Sequence, residues 1–193
     1  SRGKDHIKNF MKLDNVEVAT LCDVDQRVLG TVAADFEKTY NKKVQTASDL
    51  RRVFEDKNID AVSIATPNHW HALATIWACQ AGKDVYVEKP ASHTFNEGRM
   101  MIDAAKKYNR IVQNGIQLRS SEAIREGIQH LRDGLIGKVY MARGVVFKWR
   151  PDIGNKGNSP VPEGLNWDLW QGPAPARPFS ENYVHYNWHW FWD

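Results

Sequence analysis

Apolar positions along the chain switch repeatedly between two periods. Ile7, Phe10 and Met11 recur at helical spacing within Lys4–Leu13. Val28, Val32 and Phe36 do the same within Asp25–Tyr40, so both segments predict helices with one buried stripe. Between them Val16–Cys22 (VEVATLC) predicts a strand. Val44–Thr46 predicts a short strand, followed by a short helix through Phe54 that Ser48 can cap. Ala61–Ala65 (AVSIA) is a near-continuous apolar run, as in a strand covered on both faces. Trp70–Ala81 predicts a helix stopped by Gly82. Asp84–Val87 is the next strand, Thr94–Tyr108 a helix with Thr94-x-x-Glu97 as a capping box, and Ile111–Asn114 a further strand. Strands alternating with helices of roughly ten to fifteen residues build βαβ units. Right-handed crossovers then put helices on both faces of a parallel sheet. The predicted class is α/β, a doubly wound Rossmann-type domain.

The character changes after Gln117. Ser120–Arg132 is amphipathic, and Val139–Trp149 alternates over the length of a long strand. A Gly-, Pro- and Asn-rich stretch, Pro151–Gly164, follows. The last 27 residues then hold five tryptophans, Trp167, Trp170, Trp188, Trp190 and Trp192. This predicts a division at about residue 118: a nucleotide-binding domain over 1–118 and, over 119–193, the start of an α+β domain facing the substrate. The tryptophans read either as core or as platforms for a sugar, and His185 and His189 lie among them.

Composition narrows the function. A chain of 193 residues holds one full domain and the start of another. Hydrophobic residues at 42% and charged residues at 25% are ordinary for a globular protein. The net charge of +3 is small and its cations are scattered, which argues against nucleic acid as a partner. No apolar run reaches the ~18 residues of a membrane span. Cys22 and Cys79 read as small buried hydrophobes, with no metal or disulfide spacing. His69 and His71 form an H-x-H, but no Cys, Asp or Glu follows at ligand spacing, so no metal site is expected.

Ligands of open α/β sheets bind beyond the carboxyl ends of the strands. The residues there are Asp23, then Thr66-Pro67-Asn68-His69-Trp70-His71, then Glu88-Lys89-Pro90, then Asn114-Gly115. Gly3 precedes Asp23 by 20 residues, the spacing between a glycine-rich pyrophosphate turn and a ribose-binding acid. Ser1-Arg2-Gly3 therefore reads as the tail of such a turn, with its strand and first glycines absent. A carboxylate at Asp23 accepts hydrogen bonds from a ribose diol and repels a 2′-phosphate, which favours NAD over NADP; a helix cap is the other reading of Asp23. Glu88-Lys89-Pro90 is the sharpest feature. A proline there biases Lys89 away from helix and admits a cis bond. Such a turn can aim an ammonium into the cleft, where it would hydrogen-bond a substrate hydroxyl or help move its proton.

These motifs together resemble the glucose–fructose oxidoreductase / inositol dehydrogenase (Gfo/Idh/MocA) family. Gly3-Lys4-Asp5-His6 is similar to the end of its G-x-G-x-x-G-x-x-H. Thr66-Pro67-Asn68-His69-Trp70-His71 is similar to its T-P-x-x-x-H, and Glu88-Lys89-Pro90 to its E-K-P. Asn166–Phe179 (NWDLWQGPAPARPF) and Asn187–Trp192 (NWHWFW) resemble a bacterial subgroup that acts on sugars or glycosides. The resemblance implies hydride exchange between the nicotinamide of NAD and a ring hydroxyl or ketone of a sugar or polyol. It implies Lys89 and Glu88 as catalytic residues. Arg2, Gly3, Asp23, Thr66, Pro67, Asn68, His71, Glu88, Lys89 and Asn114 would line the cofactor, and Lys89, Trp167 and His189 the substrate. Two other outcomes stay open: an NAD-dependent glycosidase, which oxidises transiently and eliminates the aglycone, and a non-catalytic NAD-binding protein. The resemblance further implies a homo-oligomer, an address in the cytoplasm or periplasm, and a family proton-transfer residue beyond Asp193. The chain on its own is therefore expected not to turn over substrate.

Overall fold

The computed structural model describes residues 2–191. Ser1, Trp192 and Asp193, all named above, lie outside the described residues. The element order is α1 (Arg2–Phe10), β1 (Thr20–Cys22), α2 (Gln26–Tyr40), β2 (Gln45–Ala47), α3 (Leu50–Glu55), β3 (Ala61–Ile64), α4 (Asn68–Gln80), β4 (Asp84–Glu88), α5 (Phe95–Lys107), β5 (Val112–Gly115), α6 (Glu122–Arg132) and α7 (Trp167–Gln171). The strands form two parallel sheets. One pairs β1 with β2, Leu21 opposite Thr46. The other runs β3-β4-β5, with Val62 opposite Val85 and Val85 opposite Val112. A helix crosses over between every parallel neighbour, which gives the α/β class expected from the alternation.

Local signals place the element ends. Asp25 caps α2 by accepting from the backbone N–H groups of Arg27 and Val28. Thr94 and Glu97 form a reciprocal capping box on α5. Gly82 takes φ 78° just after α4, where a residue with a Cβ would be strained. Helix α3 is capped by Asp49 and not by Ser48, since the Asp49 carboxylate accepts from Arg51 N–H at 2.9 Å. The strand expected over Val16–Cys22 is paired only at Thr20–Cys22.

The main core lies between β3-β4-β5 and helices α4 and α5. It contains Phe54, Ile64, Trp70, Ala74, Ala78, Cys79, Val85, Val87, Met101 and Ala104. Helix α4 is buried on most of its circumference, and its small Ala72, Ala74 and Ala78 let it sit close against the sheet. Cys79 joins that core. Cys22 does not: it ends β1, whose one described neighbour is β2, and it is exposed. A second, smaller cluster of Leu165, Trp167 and Phe179 packs against Val24 from the first domain.

The strand expected over Val139–Trp149 is not formed. Those residues carry no regular structure, and Val146 and Phe147 are 89% and 92% exposed. An alternating pattern makes a strand only where another strand accepts its hydrogen bonds, and none of the described residues does so here. No described helix is long and apolar enough to cross a membrane.

Candidate functional site

Strand β4 ends in Glu88, a carboxylate only 5% exposed. Its Oε1 lies 3.0 Å from His6 Nε2 and accepts from the Gln117 side-chain amide at 2.7 Å. Its Oε2 accepts from the Lys89 backbone N–H at 3.1 Å, and Arg2 Nε stands 3.6 Å from Oε1. A carboxylate withdrawn from water needs such partners to remain charged. His6 is fixed by the Ser63 hydroxyl, 2.8 Å from Nδ1, and by the edge-on Tyr86 ring at 5.2 Å. Tyr86 fits because residue 115 is glycine: a Cβ there would stand 2.7 Å from the phenol oxygen.

Lys89 follows, exposed, across a cis bond to Pro90. Among the described residues its ammonium has no ion pair and no hydrogen bond. Its charge acts on His189, whose pKa is lowered first by burial and then by the Arg150 and Lys89 charges. Arg150 donates to His189 Nε2 at 3.2 Å, and its guanidinium lies 5.2 Å from the Trp190 ring centre. A cleft of about 550 Å³ opens beside them, lined by Arg150, Asp152, Lys156, Asn182, Tyr183 and Trp190.

The loop after β3 reaches the same edge. Pro67 precedes α4 and Asn68 begins it. The Thr66 hydroxyl is buried with no described hydrogen-bond partner. Both nitrogens of His71 face backbone oxygens, Nδ1 at 2.6 Å from the Pro90 carbonyl and Nε2 at 2.9 Å from that of Thr66. His71 was expected on the cofactor. Instead it is 1% exposed and ties the Thr66 loop to the Lys89–Pro90 turn. From β5, the Asn114 amide donates to the carbonyls of Val87 and Glu88 at 3.2 and 3.4 Å and closes the end of β4.

Asp23 stands just beyond β1, and its Oδ1 accepts from the Asp25 N–H at 2.9 Å. Burial raises its pKa. Asp25 is fully buried. It accepts from Arg27 at 2.8 Å and lies 3.1 Å from His185 Nε2. Arg27 therefore holds the Asp25 carboxyl below its ordinary value. Gly3 lies in the first turn of α1, where a Cβ would meet the Ala65 side chain at an ordinary 4.0 Å. Arg2 is turned to Asp5 and Glu88.

Trp167 was expected at the substrate and is core instead. It is 9% exposed, stacked on Trp170 at 4.8 Å, edge-on to Phe179, and its indole N–H donates to the Arg177 carbonyl. The partners of Glu88, namely His6, Ser63 and Gln117, were not singled out as site residues. Only the pattern that resembles G-x-G-x-x-G-x-x-H pointed to His6. Among the described residues no three His, Cys, Asp or Glu side chains gather to hold a metal ion.

The fit of a dinucleotide to this edge can be tested on these groups. The orphaned Thr66 hydroxyl, the unpaired Lys89 ammonium and the Asp23 carboxylate, which has one oxygen without a described hydrogen bond, are the kinds of group that a phosphate, a nicotinamide and a ribose engage. With a fold of parallel strands and such groups at their carboxyl ends, the class is that of a nucleotide-dependent oxidoreductase domain. The chain belongs to the Gfo/Idh/MocA oxidoreductase family: its NAD-binding Rossmann-fold model matches residues 1–116, and the family's C-terminal α/β domain model matches residues 123–193.

Three similar proteins are informative. The chain is 35% identical over 141 residues to levoglucosan dehydrogenase of Pseudarthrobacter phenanthrenivorans, covering 72% of this chain and 34% of that protein. It is 32% identical over 145 residues to the alpha-N-acetylgalactosaminidase of Shewanella oneidensis, covering 72% and 31%. The structure of myo-inositol 2-dehydrogenase from Lactobacillus plantarum superposes with TM-score 0.63 at 28% identity, covering 72% of this chain and 40% of that one. The chain thus spans about a third of the length of the curated relatives it matches.

Proposed function

We propose that the protein is an NAD-dependent oxidoreductase acting on a ring hydroxyl or ketone of a sugar, polyol or glycoside. The observation that carries this is the end of β4. A buried, fully partnered Glu88 sits beside an exposed Lys89 without an anionic partner, on the same edge as the Thr66 loop and Asn114. The bound nicotinamide would supply the hydride chemistry. Thr66, Asn68 and Asn114 would line the dinucleotide, and Asp23 would take the ribose diol and disfavour a 2′-phosphate, hence NAD over NADP. Lys89 Nζ would hydrogen-bond the reacting hydroxyl and lower the cost of removing its proton. Glu88 would fix the backbone from which Lys89 projects, through its bond to the Lys89 N–H. His189 would line the substrate side, its Nε2 accepting from the Arg150 guanidinium.

The family-model matches to residues 1–116 and 123–193 support a boundary near residue 118, between a cofactor domain and a substrate domain. A homo-oligomer belongs to the same reading, and sedimentation of the protein tests it.

The test is NADH formation at 340 nm with a panel of sugars and polyols, with Lys89→Ala beside the parent. Loss of kcat by about 10²–10⁴-fold, with NAD binding retained, is the expected result for a proton-handling group. An unchanged kcat in Lys89→Ala would remove the assignment. A second reading is favoured by the Shewanella relative: a glycosidase that uses NAD without net turnover. Release of nitrophenol from a chromogenic glycoside without NADH accumulation would select it.

A further inference from the structure

The cations around the cleft are not equivalent. Lys156 is neutralised by Glu181 at 3.0 Å, and Arg27, further off, by Asp25 at 2.8 Å. Arg150 has no acidic partner among the described residues. Asp152, the acid in the cleft lining, turns its carboxylate to the backbone N–H of Gly154. Yet Arg150 is held: its NH1 donates to His189 at 3.2 Å, and its guanidinium lies over the Trp190 ring. A guanidinium braced by two aromatic groups has already lost much of its rotamer freedom, so a ligand that engages it has less ordering left to offset. The planar fork also matches a carboxylate bidentately.

We propose that the cleft takes a sugar acid, with the carboxylate held by Arg150. The sugar rests on the oxidoreductase reading, but the charge argument stands on Arg150 and the cleft. An arginine without an acidic partner, on a cleft lined with Asn155, Asn158 and Asn182, suits a ligand that is polar throughout and anionic at one end. A neutral polyol would leave Arg150 without a counter-charge.

The experiment is ligand-detected NMR or calorimetry on the protein with matched pairs, glucuronate against glucose and galacturonate against galactose, at low and high salt. In at least one pair the acid is expected to bind about tenfold tighter at low salt, with the advantage shrinking at high salt as an exposed ion pair is screened. Arg150→Ala should remove the difference within the pair, and Arg150→Lys should restore part of it. Equal affinity for acid and neutral sugar, or an acid preference that survives Arg150→Ala, would overturn the proposal. So would acetate displacing the acid as well as the sugar acid itself does, since that makes the group a bare anion site. Turnover read separately keeps the two ideas distinct. Neutral sugars reducing NAD without acid preference would sink this inference and leave the oxidoreductase. Acid-selective binding dependent on Arg150 without NADH formation would do the reverse.

Discussion

At the scale of single residues, two aspartates two positions apart do opposite work. Asp25 is buried and held by Arg27, two backbone donors and His185, and its pKa is lowered. A carboxyl whose folded pKa is depressed contributes stability above its unfolded value, and that contribution fades as pH falls through the folded pKa. Asp23 is raised, first by burial. Its contribution runs the other way: it is present below the unfolded pKa, 3.8, and lost as pH rises through the folded one. Asp23 therefore costs the empty protein stability at neutral pH, as expected of a group kept for a ligand. Asp23→Asn retains an oxygen for the Asp25 N–H. By urea unfolding it should be more stable than the parent at pH 7, by up to about 1 kcal/mol, with the difference closing below pH 4. The same variant should bind NAD more weakly. A variant less stable than the parent at pH 7 would make Asp23 a structural cap and not a ribose ligand.

At the scale of elements, α4 is the joint between the two parts of the chain. Its first turn projects His69 and Trp70 onto the end of α7. His69 Nε2 lies 2.9 Å from the Trp170 carbonyl, and the Trp70 indole donates to Leu169 O at 2.9 Å. The chain leaves α7 through Gly172 at φ 51°, ψ −121°, against the Trp70 ring; a Cβ there would fall 2.2 Å from an indole carbon. Gly172→Ala must strain the backbone and displace Trp70 together, at a cost of about 2–4 kcal/mol in urea unfolding. A loss below 1 kcal/mol would mean that the indole is not seated there. The sequence made the elements legible, because each strand and helix carries its own period and caps. Thr94-x-x-Glu97 and Gly82 could each be read from a few neighbouring residues. It did not make the joint legible, since His69 meets Trp170 across 101 positions and His6 meets Glu88 across 82. Lys89 stood out because it ends a strand. Trp167 did not sort itself, since a tryptophan in a core and one beneath a sugar present the same local pattern. The alternation of Val139–Trp149 misled for a related reason: a strand is a property of two segments, and the sequence pattern describes one.

At the scale of the molecule, the parallel strands stand as two sheets, and this divides its stability. The three-stranded sheet has registers of four residues, central β4 hydrogen-bonded on both sides, and the whole main core against its helices. The pair β1-β2 has three residues per strand, and its described burial is confined to Leu21 and the face of α2 that carries Leu29 and Phe36. Local opening free energy follows buried apolar contact, so the two sheets should open separately. Native-state hydrogen exchange is therefore expected to show the amides of Val85 and Val87 as the slowest, tracking global unfolding. Those of Thr20–Cys22 and Gln45–Ala47 should exchange at least about tenfold faster, through a smaller opening. NAD bridges the carboxyl ends of both sheets on the proposed reading, with Asp23 on one and the Thr66 loop on the other. A saturating concentration should then slow the β1-β2 amides as much as those of β4, because a ligand opposes every opening that destroys its site, the local one and global unfolding alike. Equal protection in the two sheets without ligand would show that they open as one cooperative unit. Amides of β1-β2 that NAD fails to slow would mean that the cofactor does not reach that sheet.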